Sequence, residues 1–424
     1  MMSSPSPDSA YHLDDETLRE RLDALRPIPR ISIQAFCETR EVAEAIEAAG
    51  ADRRMLKAHL RVHTGGIRAA AEHYASAPTP NLVILESQVA PSELLVELES
   101  LADVCDPGSK VVVVGHCNDV SLYRELTRRG VSEYMLAPVQ LPDVIALVSQ
   151  LFVAPDAEPL GRSLAFIGAK GGVGSSTIAH NVAWSIAKLF ASDVLLADLD
   201  LPFGTANINF DKDPAQGIAE AVFSADRLDE VFLDRLLAKC GDHLSLLAAP
   251  SMLDRTYDFD GDAFGPLIEA AQRGTPTVVL DIPHAWNEWT QSVLQRADEI
   301  VIVASPDLAN LRNAKNLVDT IRRARPNDAP PRLVVNQTGV PKRPEIEGTE
   351  FSEPLGLTPL ATIAFDPLAF GTAANTGRML AENEPKHAAS LAFGEIAHVL
   401  TGRNPAKRNQ KPARASLFGL MRRR

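Results

Sequence analysis

Leu164-Ala-Phe-Ile167-Gly-Ala-Lys170-Gly171-Gly172-Val173-Gly174-Ser175-Ser176-Thr177-Ile178 joins two patterns that decide the fold. Leu164 to Ile167 is a short apolar run that reads as a buried strand, and Ile178 to Phe190 has the spacing of an amphipathic helix. A strand, a Gly-rich turn and a helix make the setting of a phosphate-binding loop. Glycines let backbone N–H groups converge on an anion, and the helix N-terminus adds partial positive charge. Gly171 to Thr177 would form that cradle, and the Ser176 hydroxyl stands where Mg²⁺ is held. The usual pattern has Lys directly before this Ser/Thr. Here that position is Ser175, and the lysine comes early, at Lys170.

Two further apolar strands end in acids. Val194-Leu-Leu-Ala-Asp198-Leu-Asp200 places two carboxylates at a strand's C-terminal edge, where open parallel sheets bind ligands. Thr277-Val-Val-Leu-Asp281-Ile-Pro283 repeats the pattern and matches the second acidic motif of nucleotide sites, so Asp281 would hold Mg²⁺ through water. His284 reads as a catalytic base or, with more weight, as structural. Trp286 and Trp289 read as partner anchors or as core. Ile300 to Val303 and Leu333 to Asn336 are further buried strands, Leu244 to Leu247 is another, and Pro214 to Ala238 reads as helical.

Upstream, the chain alternates strand and helix from Ile31 to Phe152. The strands are Ile31–Phe36, Leu56–Val62, Leu82–Leu85, Val111–Val114 and Glu133–Leu136. Such alternation is the flavodoxin-like, doubly wound pattern. The expected class is therefore α/β, with two doubly wound domains. The boundaries read as a leader at 1–29, a first domain at 30–153, a linker at 154–162, a second domain at 163–402 with a mostly parallel sheet, and a basic tail at 403–424.

At 424 residues and 45% hydrophobic, the composition is that of a globular protein of two or three domains. No apolar run has the length of a membrane span, and the polar, acidic first residues do not read as a signal peptide. The four cysteines lack metal-site spacing, which reads as reduced thiols in a cytoplasmic protein. A net charge of −13 argues against nucleic acid as a partner. The tail ends in Leu417, Phe418, Leu420 and Met421 beside three arginines. It reads as a short helix for an anionic membrane surface or as a disordered basic segment.

Gly130-Val-Ser-Glu-Tyr134-Met-Leu136-Ala137-Pro138 resembles the last strand of response-regulator receiver domains, which read Tyr-x-x-Lys-Pro with the proline bond usually cis. The resemblance implies an Asp after the third strand and a Lys after the fifth. This chain has Glu86 and Ala137 there, with Gly115 ending the fourth strand and Glu38 near Cys37 as the first-strand acid. That points to a degenerate receiver used for docking or dimerisation, with Glu86 as a permanent charge the weaker alternative.

Lys170-Gly-Gly-Val-Gly resembles the deviant phosphate loop of the ParA/MinD ATPases, whose early lysine reaches across a dimer interface to the partner's nucleotide. The resemblance implies an ATP- and Mg²⁺-dependent homodimer. In it Lys170 and Asp200 are catalytic, Asp198 lies near the metal, Asn336 reads adenine, and Phe365, Asp366 and Pro367 pack beside the base. The stretch Phe166 to Asn181, joined to a degenerate receiver, resembles the CpaE/TadZ family of Flp (tight adherence) pilus assembly proteins. Its implications are a pilus or secretion-machine partner and a cytoplasmic, often polar, location. Rival readings are a non-hydrolysing scaffold and a DNA-partitioning ATPase, which the acidic charge disfavours.

Overall fold

The computed structural model describes residues 15–23, 25, 27–153, 160–250, 252–253 and 256–403. Most of the expected leader and linker and nearly all of the basic tail lie outside the described residues. Two compact units result: one of residues up to Pro159 together with Arg322–Ala329, the other of Leu160–Ile321 and Pro330 onward.

The first unit carries strands β1 (Ile31–Cys37), β2 (Ala58–Thr64), β3 (Leu82–Ser87), β4 (Lys110–Gly115) and β5 (Glu133–Leu136). All pair in parallel, in the order β2-β1-β3-β4-β5. That is the flavodoxin-like order, which the alternating pattern implied. Successive residues serve opposite faces. Leu82 and Ile84 join one apolar cluster with Val112, while Val83 and Leu85 join the other with Val113. A sheet covered on both faces explains why these strands read as continuous apolar runs. β2 begins at Ala58 rather than Leu56, because Leu56 closes the 3₁₀ turn Arg53–Met55.

Near the end of β3 the Glu86 carboxylate finds its partners inside the unit, while the buried Ser87 hydroxyl beside it has none among the described residues. Glu86 is fully buried. Its Oε2 accepts the N–H groups of Glu38 and Thr39, both at 2.8 Å. Its Oε1 accepts the Thr39 hydroxyl at 2.7 Å and lies 3.0 Å from His116 Nε2. The Ala137–Pro138 peptide is cis, as in the receivers the sequence resembles.

The second unit carries β6 (Arg162–Gly168), β7 (Val194–Asp198), β8 (Ala238–Gly241), β9 (Leu244–Leu247), β10 (Thr277–Ile282), β11 (Glu299–Ala304), β12 (Arg332–Thr338) and β13 (Pro359–Ala364). They form one sheet in the order β13-β12-β11-β6-β10-β7-β9-β8, parallel except for β8 against β9. Ala165 and Ile167 face one core cluster and Leu164 and Phe166 the other, so helices cover both sides. The segment expected as one helix over Pro214–Ala238 is broken. Ile218–Phe223 and Glu230–Leu236 are separate helices around a 3₁₀ turn at Ala225–Arg227. The Asp229 side chain accepts the Phe232 N–H and so starts the second one afresh. Ala238 belongs to β8. Among the described residues no helix is long and apolar enough to cross a membrane.

Candidate functional site

β6, β7 and β10 are neighbours, so their C-terminal ends meet. Asp198 and Asp281 are direct register partners across β7 and β10. The loop after β6 turns at Gly172 (φ 80°) and Gly174 (φ 84°), values that favour glycine, and enters the helix Ser175–Phe190. A side chain at Gly174 would also strike Asn336, 2.6 Å from its Nδ2.

Four contacts from outside clasp this loop by its carbonyls. Asn336 Nδ2 donates to Val173 O at 2.7 Å, Gln337 Nε2 to Gly172 O at 2.9 Å and Asn313 Nδ2 to Ala169 O at 2.9 Å. His284 Nδ1 donates to Gly168 O at 2.9 Å. Gln337 holds its grip from a left-handed backbone (φ 57°), which costs a non-glycine residue on the order of 1–2 kcal/mol. With the carbonyls held from behind, the loop's N–H groups are left for an anion. The Nδ1 bond fixes the His284 ring beside the cleft, which suits either of its two readings. Asn336 clasps the loop through its NH₂ group and also lines the adjoining pocket.

Ser176 Oγ donates to Asp281 Oδ1 at 3.1 Å. Asp198 is 1% exposed, and both its oxygens are used: Oδ1 accepts the Asp200 N–H at 3.1 Å and Oδ2 the Ala206 N–H at 3.0 Å. Asp198 therefore shapes the loop from Leu199 to Ala206. Burial, and then the neighbouring Asp281 charge, push its carboxyl up to about 7. Asp200 accepts the Phe203 N–H at 3.2 Å, and burial raises its carboxyl too.

A cleft of about 950 Å³ runs along the loop. Lys170, Gly171 to Thr177 and Asp200 line it, so the structure brings these expected residues together. Phe203, Tyr257, Phe259 and His284 complete its wall. A second cavity, about 270 Å³, opens on the far side of Gly174 and Thr177. Asn336, Phe365, Asp366 and Pro367 meet there, joined by His180, Asn209 and Arg378. Asp366 caps the helix Pro367–Asn375 through the Ala369 N–H and lies 3.3 Å from His387, both of which hold its carboxyl below the usual range. Its own carboxylate is thus committed to the fold. Trp289 is buried against Phe264, with ring centroids 4.7 Å apart, whereas Trp286 is 49% exposed.

The residues present fit a Mg²⁺-nucleotide. The buried Ser175 hydroxyl oxygen, inside the loop, has no hydrogen-bond partner among the described residues. Ser176 and Asp281, which meet at the end of the sheet, offer oxygen, the donor type of a hard cation, whereas the oxygens of Asp198 are taken by backbone N–H groups.

Sequence reasoning missed His180, Asn209, Asn313, Gln337, Tyr257 and Phe259. His180 had a usable signal, because it lies four residues after Ser176 and so on the same helix face.

A model of the AAA domain family matches residues 161–332. The chain is 52% identical to the solved pilus assembly protein CpaE of Caulobacter crescentus, over 30% of this chain and 98% of that one, with a TM-score of 0.30. It is 25% identical to the ParA family ATPase of Chlorobium tepidum, over 56% of this chain and 98% of that one, with a TM-score of 0.52. Septum site-determining protein MinD of Synechocystis is 25% identical over 272 residues, 62% of this chain and 98% of that protein. The chain spans about half, 46%, of the length of the uncharacterised Mycobacterium tuberculosis proteins it also matches.

Proposed function

This chain is a CpaE-like protein of the ParA/MinD superfamily, and we propose that it is a Mg-ATP-dependent dimerisation switch serving the Flp (tight adherence) pilus machinery. The phosphates lie along Gly171 to Thr177, and the base enters the cavity at Asn336, Phe365, Asp366 and Pro367. Ser176 and Asp281 hold the metal, with Asp198 ordering the loop above it. Asp200 orients the attacking water. ATP would supply the γ-phosphate that distinguishes the two states, and Mg²⁺ held by Ser176 and Asp281 would neutralise its charge.

One observation carries this reading: Lys170 is exposed where it lines the cleft, with Asp307 near enough to feel its charge. Phe203, 68% exposed, lines the same cleft, so its rim offers a cation and an apolar ring to a second copy. Hydrolysis is slow, because Ser175 replaces the lysine that bridges the β- and γ-phosphates. Such a donor is worth roughly 3–4 kcal/mol of barrier. The dimer is the form recognised by pilus or secretion-machine components, in the cytoplasm and often at a pole.

Light scattering with and without Mg-ATP tests the switch in the wild type and Lys170→Ala. The expected result is a dimer that needs ATP and is lost in the variant. Ser175 favours a second reading, a scaffold indifferent to nucleotide. A dimer unchanged by ATP and by the substitution would establish that scaffold instead.

A further inference from the structure

His180 is 1% exposed and sits one turn beyond Ser176 on the helix Ser175–Phe190. Its Nε2 lies 3.1 Å from Asp281 Oδ2, while Ser176 donates to the other oxygen, Oδ1. Its Nδ1 lies 3.0 Å from Asn209 Nδ2. An amide nitrogen only donates, so Nδ1 accepts, and Nε2 carries the proton that it gives to Asp281. Asn209 ends the short helix Ala206–Asn209, whose first N–H is held by Asp198. The imidazole therefore spans from one buried acid to the segment anchored by the other. His180 and Asn209 also form part of the wall of the smaller cavity.

Packing alone gives no reason for an imidazole here. An apolar side chain of similar size would fill the space without the cost of burying two ring nitrogens. The two bonds instead fix one rotamer of Asp281 and leave Oδ1 turned toward Ser176. Groups that orient a metal-binding carboxylate in this way change metal affinity by about 10–100-fold when removed.

We infer that His180 is the positioning residue of the metal site. It holds Asp281 for Mg²⁺ and ties that carboxylate, through Asn209, to the wall of the base cavity. The inference rests on the nucleotide reading above. Loss of the ring leaves the carboxylate free to turn away from Ser176.

The test is equilibrium binding of ATP to the full chain, once over a Mg²⁺ titration and once in EDTA. His180→Leu is expected to raise the half-saturating Mg²⁺ concentration about tenfold or more, a larger loss than the one it causes in EDTA, where only the cavity wall is altered. His180→Gln, whose amide can still donate to Oδ2, is expected to recover most of the loss. An unchanged Mg²⁺ requirement in a folded His180→Leu protein overturns the inference, and so does an equal loss of affinity in EDTA. Should His180→Leu fail to fold, Asn209→Ala carries the test: a smaller rise in the Mg²⁺ requirement supports the link, and none overturns it. A wild type that binds no ATP in either condition removes the nucleotide reading and this inference together. A wild type that binds normally beside an unaltered variant removes this inference alone.

Discussion

Ser176 Oγ and Asp281 Oδ1 stand 3.1 Å apart, although 105 residues separate them in the chain. β6 and β10 pair directly in parallel, so the loop leaving the first strand and the acid ending the second share one edge. The helix N-terminus brings a hydroxyl and the strand brings a carboxylate. The contact needs no loop to close, so the proposed metal site is a property of the sheet and the helix that follows it.

Asp198 makes the nucleotide-free protein sensitive to pH. Its folded-state carboxyl is raised to about 7, mainly by burial and then by Asp281, so the native state keeps a proton that the unfolded chain releases. That stability is fully present below the unfolded pKa and is lost as pH rises through about 7. The slope from one such group is at most about 1.4 kcal/mol per pH unit. Thermal unfolding in EDTA between pH 5 and 8 should show wild type losing stability relative to Asp198→Asn as pH rises. Parallel curves would refute the assignment.

Ser175→Lys restores the cation missing from the loop. Ser175 begins the helix at the cleft, and its buried hydroxyl oxygen makes no bond that the substitution would break. Steady-state ATP turnover should rise by about 10²–10³-fold. An unchanged rate with tight nucleotide binding would show that the barrier lies elsewhere.

Gly171 and Gly174 should separate backbone strain from anion binding. A Cβ at Gly174 meets Asn336 and forces a left-handed conformation on alanine, so Gly174→Ala should lose about 1–2 kcal/mol of stability together with nucleotide binding. A Cβ at Gly171 meets nothing within 4 Å, so Gly171→Ala should melt within about 2 °C of wild type. Equal melting temperatures for the two variants would contradict the geometry.

Glu86→Ala should be severe for the first unit. It strands the Glu38 and Thr39 N–H groups and the Thr39 hydroxyl, each of which costs about 1–3 kcal/mol when buried without a partner. Chemical denaturation followed in the first unit is expected to show a loss of at least about 2 kcal/mol. A loss below about 0.5 kcal/mol would mean that water takes over those donors.

Most of the candidate site was legible because its residues end regular elements. Asp198 and Asp281 close apolar strands, and Ser176 follows a glycine loop that admits few other meanings. What stayed hidden depends on atoms distant in sequence. Asn336 clasps the phosphate loop only because Gly174 lacks a Cβ, and no local pattern announces that approach. Tyr257 and Phe259 reach the cleft from a loop without periodicity. The four-residue β8, Ala-Lys-Cys-Gly, has almost no strand signature and exists because β9 offers it an edge. Helical spacing ran through Pro214–Ala238 because core positions recur on both sides of the break, which Asp229 reveals only as a cap.

The environment of Glu86 bears on timing in the cell. A carboxylate has about four acceptor directions, and here Glu38, Thr39 twice and His116 occupy four. Forming an acyl phosphate requires a bare oxygen to attack a phosphorus atom, and none is offered. A sensor kinase that addresses ordinary receivers would find no listener in this one. On the proposed reading, the clock of the molecule runs on the nucleotide alone, at a rate set by how fast a loop without its second lysine lets the phosphate go.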